Sequence, residues 1–166
     1  AYGTVVQLTA HPASGWALGS WSGDAGGTTG VVNVTMDTTK VVLTTFIDVQ
    51  APSVTLTSPA GGETWDTGSV HAITWSTSDN GVIDSVAVEY SANGVAGPWS
   101  VLAHGLADTG TWSWTTPATP TDSGLVRVTA ADHQGNLGSA RNLVAFALHN
   151  STTGVGVGTA ALALAR

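Results

Sequence analysis

Few side chains in this sequence are spaced for covalent chemistry. A hydrolase elbow needs a serine between glycines at a strand-to-helix turn. The segment Gly19-Ser20-Trp21-Ser22-Gly23 puts Trp21 at its centre, so that signature fails. Asp132-His133 is one acid–imidazole neighbour pair, and His104 with Asp108 is another. Adjacent residues on a strand point to opposite faces, and a hairpin turn explains the first pair. No catalytic residue is expected. For metals, Asp79, Asp84, Asp108, Asp122 and Asp132 are scattered and lack EF-hand spacing. Loops at one end of a β-sandwich could gather such oxygens around Ca²⁺. Asp and Asn also stand in turns because they bond their own backbone, and that reading is preferred. His11, His71, His104, His133 and His149 show no paired zinc spacing, and there is no cysteine. No metal ligand and no cofactor are expected.

The tryptophans are the remaining chemistry. An exposed indole face binds sugars by stacking. Trp75, Trp112 and Trp114 instead lie in alternating apolar runs, where a Trp normally buries a large area in a core. Trp65 and Trp99 sit near turns and are expected to plug a sandwich end. Trp16 and Trp21 are expected in the core of a smaller unit.

Composition narrows the classes further. Of 166 residues only 9% are charged, with 4 Lys and Arg against 11 Asp and Glu and a formal charge of -7. Four cations cannot neutralise a run of phosphates, so nucleic acid is excluded as a partner. With no cysteine there is no disulfide scaffold. No stretch approaches the ~20 apolar residues of a membrane helix. The chain starts at Ala1 without a signal peptide, which reads as a mature or trimmed product. Thr, Ser, Asn and Gly supply most of the polar surface. Thr and Val are β-branched and favour strands, whereas helix formers are scarce. The fold class expected is all-β.

Period-two alternation locates the elements that carry these residues. Residues 1–49 read as a small β module, with Val6, Leu8 and Ala10, then Val32, Val34 and Met36, then Val42, Thr44 and Phe46 on alternate positions. Residues 50–149 hold about seven short strands: Val54 and Leu56; His71, Ile73 and Trp75; Val86, Val88 and Tyr90; Trp99 and Val101; Trp112 and Trp114; Val126, Val128 and Ala130; Val144, Phe146 and Leu148. That spacing is expected of an immunoglobulin-like β-sandwich. Residues 150–166 form a polar linker and an extended tail in which Val155 and Val157 alternate with Gly, and Leu162 and Leu164 with Ala.

The first block resembles the divergent internalin B-repeat family of bacterial surface proteins, through Gly3-Thr4-Val5-Val6, Leu8-Thr9-Ala10, Pro12, Gly15-Trp16, Trp21-Ser22-Gly23-Asp24, Val34-Thr35-Met36, Val42 and Phe46. The family pattern has an opening strand or hairpin ahead of this segment, so the resemblance implies a module lacking that strand. The second block is similar to the Ser/Thr-rich immunoglobulin-like family of bacterial surface and fungal cell-wall proteins. Ser58-Pro59, Gly61-Gly62-Glu63-Thr64-Trp65, Gly68, Ile73-Thr74-Trp75, Tyr90-Ser91, Trp99, Thr109-Gly110, Trp112-Ser113-Trp114, Pro117, Arg127-Val128-Thr129-Ala130 and Gly135-Asn136 carry that likeness. The tail resembles the linker before a type IX-type sorting domain. Together these imply an extracellular or cell-surface location and no enzymology. Asn33 and Asn150 fit the N-glycosylation pattern. In a bacterial surface protein the expected outcome there is no modification, with O-linked sugar on Thr and Ser the better guess.

A sheet short of one strand exposes unpaired N–H and C=O groups, and the tail offers an orphan strand. The expectation is therefore self-association into a homopolymer by head-to-tail β-strand contacts, with Val155, Val157, Leu162 and Leu164 as the donor strand. The competing reading of the tail is a plain linker. The functional expectation is a non-catalytic building block of a surface filament, stalk or adhesin, with cell-surface glycans as further partners. The alternative is a carbohydrate-binding accessory module trimmed from a larger secreted enzyme, and the third reading is an enzyme in its own right.

Overall fold

The computed structural model describes residues 2–151. These form thirteen strands and one 3₁₀ turn, Gly94–Ala96, with no α-helix among the described residues. Among the described residues no helix is long and apolar enough to cross a membrane.

The first four strands are β1 (Thr4–Thr9), β2 (Trp16–Gly23), β3 (Val31–Met36) and β4 (Val42–Asp48). They form two antiparallel ribbons, β1 with β3 and β2 with β4. The β1–β3 register sets Val6 opposite Val34 and Leu8 opposite Val32. Directly opposed residues share a face, so the alternation read from sequence collects these four on one side. Trp21, on β2, is buried and donates its indole N–H to the carbonyl of Thr29 at 2.8 Å. Strand β2 lies between two Gly-rich turns, and its mixed composition hides it from a simple alternation test.

The remaining strands are β5 (Ser53–Ser58), β6 (Thr64–Asp66), β7 (Val70–Ser78), β8 (Ile83–Ser91), β9 (Ser100–Leu106), β10 (Thr111–Thr115), β11 (Thr121–Asp132), β12 (Leu137–Arg141) and β13 (Phe146–His149). Three of them make one layer in the order β10-β7-β5. The other layer runs β6-β13-β11-β8-β9, with β12 paired to β11 as well. Ile73, Trp75 and Trp114 from the smaller layer meet Val86, Val88, Val126, Val128, Phe146 and Leu148 from the larger one. Valines 126 and 128 are fully buried, and Arg127 between them must point outward. Each such buried aliphatic side chain contributes about 1.5–3 kcal/mol over an exposed one. Strands β6 and β12 go unmarked in the sequence: β6 has only three residues, and β12, Leu137-Gly138-Ser139-Ala140-Arg141, has no apolar alternation to mark it.

Tyr90 occupies this core, and its hydroxyl is buried with no hydrogen-bond partner. Burial also pushes its phenol pKa above the ordinary value. A buried hydroxyl without a partner costs its desolvation. Tyr90→Phe should therefore stabilise the sandwich by about 1 kcal/mol, seen as a higher melting temperature. A lower one would mean that the hydroxyl is bonded in solution.

Candidate functional site

The acid–imidazole neighbours of the sequence do not become dyads. Asp108 is taken up by Trp75, whose indole N–H it accepts at 2.8 Å, and by the Thr77 hydroxyl. Asp132 stands in a turn, where its Oδ1 accepts the backbone N–H groups of Gln134 and Asn136 at 2.9 and 2.8 Å. His133 turns instead to Asp84, 3.0 Å away, and His149 to Asp122, 2.8 Å away. Both of these pairs are exposed. Ser20 lies in a strand, with its hydroxyl 3.1 Å from that of Thr45.

None of the seven tryptophans is exposed. Trp75 and Trp114 are core, and Trp112 and Trp65 pack against it. Trp65 stacks on His71 with ring centroids 4.0 Å apart. Trp99 departs from expectation. It does not plug a sandwich end but lies with Arg127, whose guanidinium sits 4.5 Å from its ring centre. Arg127 is held in turn by Glu89 through bonds of 2.7 and 2.9 Å. The reason is the pleat: Arg127 projects from the outer face, between inward valines, and the indole covers its charge-delocalised plane. Trp16, expected in the core of the small module, is only half-buried and lines a surface depression with Asp48.

The small module is open where the sandwich is closed. Among its described residues only Trp21, Val34 and Asp48 are buried. Val5, Val6, Val31, Val41, Leu43, Phe46 and Ile47 are exposed. Val6, Leu8, Val34, Met36 and Val42, together with Lys40, line a depression of about 260 Å³. Among the described residues each of the four strands has one strand partner, and Trp21 of β2 adds an isolated bridge to Gly27. Lys40 is held 2.6 Å from Asp37 and 3.7 Å from Asp24. Those bonds raise the Lys40 pKa, and the Lys40 ammonium lowers that of Asp37.

At the junction of the two modules lies a group that sequence did not assemble. Asp48 ends β4, Asp79 follows β7 and Asp132 ends β11. One carboxylate oxygen of each lies within 4.8 Å of one from each of the others. Asp79 and Asp132 were singled out in the sequence as separate turn residues, whereas Asp48 was missed. Its only local signal is a charge ending an apolar strand. Asn136 ties the group together, donating to the Asp48 carbonyl at 3.2 Å and to Asp132 Oδ2 at 2.7 Å. Burial pushes the Asp132 carboxyl up, but the bonds from Asn136 and from the backbone of residues 134–136 outweigh it and hold the group below the usual range.

Asn33 is exposed on β3, and Asn150 is exposed with its Oδ1 accepting from the Thr67 hydroxyl at 3.3 Å. The expected donor-strand residues Val155, Val157, Leu162 and Leu164 lie outside the described residues.

Comparison with known proteins places these two units in sequence families. The divergent InlB B-repeat domain matches residues 1–51, and the bacterial Ig domain matches residues 52–135. Strands β12 and β13 lie past that second range, yet Phe146 and Leu148 are core residues of the same sandwich. No curated protein matches the chain. Among solved structures it is similar to the fibronectin(III)-like modules of Clostridium thermocellum CbhA, at 15% identity and a TM-score of 0.46, over 90% of this chain and 86% of that one. Modules of the two matched kinds point to an extracellular or cell-surface structural domain. The chain belongs to the bacterial Ig domain family, with a divergent InlB B-repeat domain preceding its Ig sandwich.

Proposed function

We propose that this chain is a non-catalytic building block of a bacterial cell-surface filament or stalk, assembled head to tail by strand addition. One observation carries the reading: Val6, Leu8, Val34, Met36 and Val42 line an apolar depression that is open among the described residues, in a module whose strands each have one strand partner. An added strand would satisfy backbone groups along a free edge, and alternate side chains would fill the depression. The occupant proposed is residues 154–166 of a second copy. As an added strand, Leu162 and Leu164 would fall on one face, and the alternating alanines would let the backbones approach. Val155 and Val157 repeat the same pattern with glycine. Because acceptor and donor lie at opposite ends of one chain, the contact does not close on itself and propagates.

Size-exclusion chromatography and negative-stain microscopy over a concentration series should show polymers that vanish on deletion of residues 154–166. Leu162→Asp combined with Leu164→Asp should have the same effect without altering the melting of either module. A chain that stays monomeric at every concentration, or polymers that survive the deletion, would overturn the proposal.

A further inference from the structure

We propose that Asp48, Asp79 and Asp132 form a Ca²⁺ site that joins the small module to the Ig sandwich. The inference stands apart from strand addition, since it needs only one copy of the chain. Asp48 comes from the first module and the other two from the second, so an ion held by all three would bridge them.

Four observations converge on a cation. Asp48 and Asp132 are 5% and 4% exposed, which places two carboxylates out of water beside a third. Asp48 Oδ1 accepts the backbone N–H of Gln50 at 2.9 Å, but no hydrogen bond reaches its Oδ2 among the described residues. Asp79 Oδ1 is itself buried and has no donor. Gly81 leaves open the space beside these oxygens: a Cβ there would stand 2.7 Å from Asp48 Oδ2 and 3.3 Å from Asp79 Oδ2.

Among the described residues the Lys and Arg side chains are committed elsewhere. Lys40 serves Asp24 and Asp37, Arg127 serves Glu89, and Arg141 donates to the Asn142 carbonyl. The donor set is hard oxygen. Ca²⁺ binds such oxygens at about 2.3–2.6 Å, so two ligands on opposite sides of the ion stand about 4.6–5.2 Å apart. The spread of up to 4.8 Å among the three carboxylates fits within one such shell. Waters would complete the coordination. Asn136 orients the site from outside by holding Asp132 Oδ2 and the Asp48 carbonyl.

The test uses the full chain. Calcium in the range of about 10⁻⁴–10⁻³ M typical of extracellular modules should raise the melting temperature, and chelation should reverse the rise. Tb³⁺ should bind once, with emission sensitised by Trp16, which lines the same depression as Asp48. Asp79→Asn should weaken binding ~10-fold or more, the scale seen on disturbing metal-site ligation. The same variant should melt higher than the parent in chelator, because a repulsive charge is gone, and lower than the parent in calcium. Asp84→Asn should leave binding unchanged. Overturning results are an absence of any calcium effect on melting, an Asp79→Asn variant that binds as the parent does, or an equal response to Na⁺ at matched ionic strength.

Discussion

Trp114→Ala is expected to destabilise the Ig sandwich by about 3–5 kcal/mol, the range for truncating a buried large aromatic. Trp114 stands on β10 in the smaller layer and is 4% exposed. Its ring centre lies 4.9 Å from that of Tyr90 and 6.2 Å from that of Phe146, both in the larger layer. Trp65 approaches it edge-on at 6.4 Å. Removing the indole opens a cavity between the layers that β-strands, fixed by their ladders, cannot collapse to fill. Domains have about 5–15 kcal/mol of stability in all, so the variant should be near its folding threshold at growth temperature. Each kcal/mol lowers the melting midpoint of a domain this size by roughly 4–8 °C. Trp99→Ala is the matched control. Its half-buried indole lies over Arg127, and such a contact is worth about 0.5–2 kcal/mol from exposed to desolvated sites. Equal losses from the two variants, measured by urea denaturation, would contradict the placement of one ring inside and the other outside.

Gly138→Ala should be the most damaging of the small substitutions. A Cβ at residue 138 would lie 1.7 Å from the carbonyl oxygen of Pro52 and 2.7 Å from its carbonyl carbon. Both obstacles are backbone. Pro52 is buried at the head of β5, and Gly138 is paired with Ala130 within β12. Neither segment can swing aside as a flexible side chain would. Overpacking ordinarily costs about 1–3 kcal/mol, and a backbone–backbone collision belongs at or above the upper end. The damage should also reach the junction, because Asn136 lies two residues away and holds the Asp48 carbonyl. The expected results are a lower melting temperature and faster proteolysis within residues 49–52. A variant that melts within a degree of the parent, with that connector equally resistant, would show that β12 does not press on Pro52 in solution.

These two residues differ in how far their sequence context exposes them. Trp114 sits in the run Thr111-Trp112-Ser113-Trp114-Thr115, and alternation marks its face at once. The same logic found Val86, Val88, Val126 and Val128, whose cross-strand pairing joins β8 to β11. Gly138 carries no pattern, because its importance lies in another strand's carbonyl. Trp99 was misread for a related reason: its partner Arg127 is distant in sequence, and a turn beside an indole says nothing about which face the ring covers. Asp108 reads as a loop acid near His104 until folding brings it to the indole N–H of Trp75.

Sequence by itself determined the all-β class, the strand faces and most of the core, because a strand's side chains alternate with a period of two that is written locally. It also carried both family likenesses, through turns and aromatic positions that short segments preserve. Tertiary structure alone decided that Val6, Leu8, Val34, Met36 and Val42 line one depression, and that Asp48, Asp79 and Asp132 meet where the modules join. Those outcomes depend on where the ends of separate strands arrive in space. Nothing in the neighbouring residues of any one carboxylate encodes the position of the other two.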